Sequence, residues 1–169
     1  KIKVPILMTA SVSTRGMKGA AFSDSEREKM YLESLNVYID LLLARDPARR
    51  IVFAENSGWD LETFRSQLPG DYLGQIEFIG LNPLDFDINR GKGYNEILLI
   101  NQTIERSAVI KKAGAFMKVT GRYPVYNLGR YLEESEEFFS RGGRYYGDMK
   151  DHKVFDVLFP HNTAKWNGH

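Results

Sequence analysis

The chain has 169 residues, 43% hydrophobic and 27% charged, with 10 Phe and 9 Tyr, the balance of a chain that buries a core, and its length suits one domain. Lys and Arg total 23 against 22 Asp and Glu, so no net field draws the protein onto nucleic acid or an anionic membrane, and any anion site must be built locally. The absence of Cys excludes disulfides, thiolate zinc sites and a Cys nucleophile, and it fits a reducing compartment, which makes the cytoplasm the expected location.

Lys3 to Thr9 is a short apolar run ending in Ser11, Ser13 and Thr14, the pattern of a buried strand passing into a polar loop. Ser23-Asp24-Ser25-Glu26 has capping-box spacing, and Tyr31, Leu35, Tyr38, Ile39 and Leu42 then recur at helical intervals until Asp46-Pro47 stops them. Arg50 to Glu55 reads as a second buried strand closed by Asn56-Ser57-Gly58, and Leu61, Phe64 and Leu68 mark a short helix ended by Pro69-Gly70. Gln75 to Leu81 alternates as a third strand. Asp85 to Gly93 is loop-like and leads into a helix with the apolar face Ile97, Ile100, Ile104 and Ala108. Phe116 to Thr120 reads as a fourth strand, Leu128 to Ser140 as a helix, and Arg144 to Gly147 as a final strand or its approach.

Strands and helices alternate, so an α/β fold is predicted: a single Rossmann-like domain over residues 1–169, with a mainly parallel sheet and helices on both faces. Either end is open to belonging to a longer chain. No apolar run approaches the roughly 20 residues that span a bilayer, so no transmembrane segment is expected, and Lys1 to Met8 lacks the flanks of a signal peptide. In sheets of this kind ligands bind beyond the carboxyl ends of the strands, which makes the residues just after each strand the candidate site.

After the first strand comes Thr9-Ala10-Ser11-Val12-Ser13-Thr14-Arg15-Gly16, with Lys18 and Gly19 beyond. Small hydroxyl residues and glycines let backbone N–H groups approach an anion or a base, and Arg15 and Lys18 could hold phosphate. Thr9, Ser11, Thr14 and Arg15 are the candidates; the plain alternative is a solvated loop. Neither the Walker pattern nor Gly-x-Gly-x-x-Gly is present. After the second strand, Glu55 is placed to accept from a ribose hydroxyl or a base N–H, with Asn56 beside it. Capping of the following helix by Asn56 or Ser57 is the competing reading.

Gly91-Lys92-Gly93 puts two glycines around a lysine at a helix start, where the dipole favours an anion, and Glu96, placed in the first turn at the same cleft, is a catalytic candidate that could act on the substrate. The alternative there is a Gly-rich turn with an exposed lysine. In Lys118-Val119-Thr120-Gly121-Arg122, alternation puts Lys118 and Thr120 on one face, and Gly121 lets the chain turn so that Arg122 can meet a phosphate. Positive charge at this edge suits a departing nucleoside diphosphate; otherwise Lys118 snorkels and Arg122 pairs with a carboxylate. Asp148, Asp151 and His152 could supply a general base for an acceptor hydroxyl, with Asp148 and Asp151 as ligands for Mg²⁺ or Mn²⁺, or they could form a self-bonded turn. Trp166 and His169 could border an acceptor sugar. Zincin, hydrolase-elbow and EF-hand patterns are missing.

Five blocks, Ile6 to Ser11, Phe53 to Trp59, Gly91 to Glu96, Lys118 to Tyr123 and Asp148 to Lys153, resemble in order a family of bacterial surface-polysaccharide glycosyltransferases found with lipopolysaccharide and capsule biosynthesis genes. Lys-Val-Thr-Gly-Arg-Tyr and Gly-Lys-Gly-Tyr-Asn-Glu are the specific blocks. The resemblance implies a GT-A-like domain with hexosyltransferase-like activity, moving a sugar from a nucleotide-sugar donor to a glycan or lipid-linked glycan acceptor. It also implies work in the cytoplasm or, through peripheral association, at the inner face of the membrane, with no nucleic-acid partner. Most GT-A enzymes carry Asp-x-Asp after the fourth strand, where this chain has Thr120-Gly121-Arg122, and Asp85-Phe86-Asp87 lies ahead of the Gly91 helix instead. No cofactor is therefore expected to be required, leaving-group charge falling to Lys118 and Arg122, with Mg²⁺ or Mn²⁺ at Asp148 and Asp151 as the alternative. A magnesium-dependent nucleotidyltransferase or phosphate-ester enzyme and a nucleotide- or glycan-binding module without turnover are the rival classes.

Overall fold

The computed structural model describes residues 3–16, 19–143 and the backbone of 157–160. Lys18, Arg144 to Gly147, Asp148, Asp151, His152, Trp166 and His169 lie outside the described residues. Strands β1 (Ile6–Ala10), β2 (Ile51–Glu55), β3 (Ile76–Gly80), β4 (Ala115–Thr120) and β5 (Val157–Pro160) form one sheet in the order β3-β2-β1-β4-β5. The first four pair in parallel and β5 runs antiparallel to β4. Helices α1 (Asp24–Tyr38), α2 (Glu62–Arg65), α3 (Lys92–Arg106), α4 (Ala108–Ala113) and α5 (Leu128–Ser140) complete the α/β fold. Its four-stranded parallel sheet flanked by helices is the predicted class.

Period-two alternation sorts the strand side chains onto two faces. Ile6, Met8, Phe53, Met117 and Val119 pack against Tyr31, Leu35 and Tyr38 of α1 and Leu128 and Leu132 of α5. Leu7, Val52, Ala54 and Phe116 pack on the other side against Leu99 of α3 and Ile110 of α4. On that second side the next residues toward the carboxyl ends are Thr9, Lys118 and Thr120, so an apolar face turns polar over the last few ångströms of the sheet. Register places Leu7 opposite Lys118 and Thr9 opposite Thr120.

Local chemistry sets the element ends. Ser23 and Glu26 form the expected reciprocal capping box at the start of α1, and the helix runs on through a wide π-helical turn, Ile39–Leu43. The periodicity read from Ile97 to Ala108 is one pattern spread over two helices. Ser107 leaves the helical conformation, its Oγ accepts from Ile110 N at 3.0 Å, and its hydroxyl and Ala108 N both meet the Glu77 carboxylate of the edge strand β3. Strand β5 ends on Pro160, which has no N–H to give and is accommodated at the sheet margin.

At the amino end of the sheet, Glu136 of α5 accepts from Val4 N at 3.0 Å and pairs with the Arg49 guanidinium. Both side chains are buried, at 1% and 7% exposure for Glu136 and Arg49.

Candidate active site

Strand β1 is central: the chain leaves it toward β2 and β3, then crosses back to β4 on its other side. Loops leaving neighbouring strands in opposite directions open a crevice at the carboxyl edge. Here the crevice is a cleft of about 410 Å³, within the size range of small-molecule sites. It is lined by Thr9, Ser11, Thr14, Arg15, Asn56, Gly91, Lys92, Glu96, Lys118, Thr120 and Arg122, which come from four separate stretches of sequence, and by Arg27 and Tyr31 of α1. Among the described lining residues, five side chains are cationic (Arg15, Arg27, Lys92, Lys118, Arg122) and one, Glu96, is a carboxylate.

The loop after β1 differs from expectation. Its N–H groups do not face the cleft as an anion cradle, because consecutive ones are taken by protein side chains. Ser11 N donates to Tyr31 Oη at 3.0 Å, Val12 N to Glu55 Oε1 at 3.1 Å, Ser13 N to Ser57 Oγ at 2.8 Å, Thr14 N to Asp24 Oδ1 at 2.8 Å and Arg15 N to Ser13 Oγ at 3.2 Å. What the loop offers a ligand is side chains. Ser11 Oγ donates to Asn56 Oδ1, fixing that amide on the cleft wall.

Glu55 corrects a second expectation. It is 1% exposed and absent from the cleft wall. Its Oε1 also accepts from Ser57 N at 2.9 Å and from the Ser57 hydroxyl, and Oε2 accepts from Trp59 N at 3.0 Å. Buried N–H groups need partners, and this carboxylate satisfies three of them from two loops rather than a ligand's hydroxyl. Arg15 reaches the cleft but is partly occupied, since Nη1 donates to Pro83 O at 2.6 Å and Nη2 to Phe86 O at 3.1 Å, tying the β1 loop to the segment ahead of α3.

Thr14 N donating to the Asp24 carboxylate is the main reason the pKa of Asp24 lies below the ordinary 3.8. A depressed carboxyl contributes stability in full above that value and loses it as pH falls through the lower folded-state value. Melting temperatures of the protein and of Asp24→Ala, followed downward from pH 6, should therefore differ by a constant amount and then converge below pH 3.8. A gap that persists into stronger acid would show that Asp24 acts by packing instead.

Gly121 is needed for closeness rather than for turning. A Cβ there would stand 2.6 Å from Thr9 O and 2.7 Å from the Tyr31 ring, distances real side chains do not tolerate. Gly121→Ala is expected to cost about 1–3 kcal/mol, the usual range for overpacking, read as a lower denaturation midpoint; an unchanged midpoint would show that β4 can draw back from β1. Just beyond, the Arg122 guanidinium lies 5.9 Å from the Phe22 ring centroid and 5.7 Å from that of Tyr123, within cation–π range. Neither Arg122 nor Lys92 makes an ion pair with any described residue.

Lys118 is engaged: its Nζ lies 2.8 Å from Glu96 Oε1, and the Thr9 hydroxyl donates to the same oxygen at 2.8 Å. At the start of α3, Gly91 adopts φ 86°, which only glycine takes without strain, and among the described residues no side chain caps the helix or puts an acid in its first turn. Gly93 is exposed, does not line the cleft, and a Cβ there would meet nothing, so it contributes no close approach. Asp87 accepts from Asn89 N at 2.8 Å and Asp85 from Gln102 Nε2 at 3.3 Å, local roles for the Asp-x-Asp sequence. No group of three or more His, Asp or Glu that could hold a metal occurs among the described residues.

Arg27 and Tyr31 escape a sequence reading that treats α1 as a core helix. The one signal is that a buried tyrosine hydroxyl must find a partner, and here it is Ser11 N.

Fold and cleft together define an α/β protein with a cationic, hydroxyl-lined crevice at the topological switch point of its sheet. No protein-family model matches the chain, and no curated protein matches it. Among solved structures, it is similar to a candidate nucleotide-diphospho-sugar transferase from Desulfovibrio desulfuricans G20, with a TM-score of 0.48 and 10% identity, over 99% of this chain and 71% of that one. At that score and identity the likeness carries no residue correspondence.

Proposed function

We propose that this chain is a glycosyltransferase that moves a sugar from a nucleotide-sugar donor to a glycan or lipid-linked glycan acceptor in surface-polysaccharide synthesis. The carrying observation is the charge of the crevice: among the described residues, five cations against one carboxylate at the point of the sheet where α/β proteins bind ligands. A donor of this class brings a diphosphate, and Lys92 and Arg122 line the cleft with no ion pair to any described residue. The open amino end of α3 adds positive potential beside Lys92. Ser11, Asn56 and Thr120 supply hydrogen bonds for the uncharged parts of the donor.

As the glycosidic bond breaks, charge grows on the departing diphosphate, and Arg122, with Lys92, stabilises it where it grows; Lys118, expected beside Arg122 in that role, is neutralised by Glu96. In this reading an acceptor hydroxyl gives its proton to Asp148 or Asp151, with His152, Trp166 and His169 bordering the acceptor, and Mg²⁺ or Mn²⁺ at the two aspartates is the alternative source of positive charge. The setting, cytoplasm or the inner membrane face, follows from the sequence resemblance. A thermal-shift series against nucleoside diphosphates and sugar nucleotides tests the donor class. A true donor at 100 times its Kd adds about 2.7 kcal/mol of stability, and incubation with acceptor should then release the nucleoside diphosphate. Failure of every sugar nucleotide to raise the melting temperature would defeat the proposal, and release of pyrophosphate would transfer it to nucleotidyl chemistry.

A further inference from the structure

The cleft is not uniformly cationic. Lys92 and Arg122 make no ion pair with any described residue, whereas Lys118 and Glu96 neutralise one another across 2.8 Å on the side where β1 and β4 meet α3. A phosphate is drawn to the first pair and repelled from the Glu96 carboxylate, so the two regions suit different chemistry. The neutral pair is also held in one orientation. The Thr9 hydroxyl and Lys118 Nζ both meet Glu96 on Oε1. Oε2 has no hydrogen bond among the described residues and is not enclosed. Glu96 and Lys118 remain 39% and 19% exposed, both on the cleft wall. Lys118 keeps further N–H donors beyond the one facing Glu96.

A fixed acceptor beside a fixed donor, with no net charge, matches two adjacent hydroxyl groups: one donates to Oε2 and its neighbour accepts from Nζ. Resting on the donor reading above, we propose that Glu96 and Lys118 hold a vicinal diol of the transferred sugar and thereby select donors whose sugar keeps both hydroxyls. Thr9 is the positioning residue, locking the carboxylate through Oε1 so that Oε2 faces the substrate.

The test is a split between two affinities, measured by calorimetry on folded protein. UDP is compared with UDP-glucose and GDP with GDP-mannose, each sugar also as its 2-, 3- and 4-deoxy analogue. The unsubstituted protein should bind one sugar nucleotide about 10- to 100-fold more tightly than the bare diphosphate, the range for hydrogen bonds to charged groups, and should lose that margin for deoxy analogues at two neighbouring positions. Glu96→Gln should bring the sugar nucleotide down to the affinity of the bare diphosphate and make the deoxy analogues indistinguishable from their parents. Thr9→Val, which removes only the lock, should lose part of the margin. A merely structural ion pair would instead lower both affinities and the melting temperature together. If the diphosphates bind but Glu96→Gln keeps the sugar's margin, or no margin exists, the diol assignment is overturned while the donor reading stands. If neither diphosphates nor sugar nucleotides bind the unsubstituted protein, both fall.

Discussion

Glu136→Ala should lower the unfolding free energy by about 3–5 kcal/mol, the usual cost of removing one partner from a buried ion pair. Glu136 and Arg49 are each less than one-tenth exposed, and the carboxylate also accepts from Val4 N at the entrance to β1. Truncation leaves a backbone N–H without its acceptor and the guanidinium with only the more distant Asp46 carboxylate, at 3.7 Å, where water has poor access. At roughly 2–4 °C per kcal/mol for a domain of this size, the melting temperature should fall by roughly 6–20 °C. Glu136→Gln should fall between, since it keeps an acceptor for Val4 N while losing the charge. Arg49→Met combined with Glu136→Leu should recover much of the loss, because the desolvation cost of both charges disappears with them. Urea denaturation of the set decides the matter, and a single-variant loss below about 1 kcal/mol would mean that the pair is solvated. The pair lies at the opposite end of the sheet from the cleft, so ligand affinity measured well below the transition should not move.

Arg122→Ala should reduce sugar transfer by about 10²–10³-fold, the range for removing one preorganised group that stabilises charge in a transition state. The guanidinium lines the cleft, is flanked by Phe22 and Tyr123, and has no carboxylate among the described residues to divert it. Arg122→Lys should restore only part of the rate, because a lysine keeps the charge but not the planar fork that two phosphate oxygens can share. The same assay with a chelator separates the two sources of positive charge. Turnover that survives chelation but not Arg122→Ala supports leaving-group stabilisation by the side chain; full turnover in Arg122→Ala with complete loss on chelation would hand that role to a cation.

Much of this layout was legible in the sequence where one local pattern decides the outcome. Apolar runs at Ile6, Ile51 and Phe116, the Ser23-Glu26 box, and alternation putting Lys118 with Thr120 all depend on nearest neighbours, and each appears in the folded chain. What stayed hidden involves partners far apart in sequence. Glu55 reads as a ligand-facing carboxylate until the loop after β1 is laid beside it and claims its oxygens. Gly121 reads as a turn residue until β1 and Tyr31 arrive at its Cα. Ser107 reads as one more helical position until Glu77 from β3 meets it. The meeting of Lys92, Lys118 and Arg122 at one cleft was expected from their places just after strands or at a helix start, whereas the pairing of Lys118 with Glu96 needed the fold to bring α3 against β4.

The Glu55 carboxylate has a consequence for how substitutions in the cleft combine. By gripping Val12 N on one side and Ser57 and Trp59 N on the other, it fastens two sequence-distant loops into one wall. Changes at Ser11 and Asn56 should therefore couple rather than sum: residues sharing one hydrogen-bond network show interaction energies of about 0.5–3 kcal/mol in a double-mutant cycle. Redesigning which ligand the cleft accepts would mean varying the two loops jointly, because each one alone is anchored in the shape dictated by its companion.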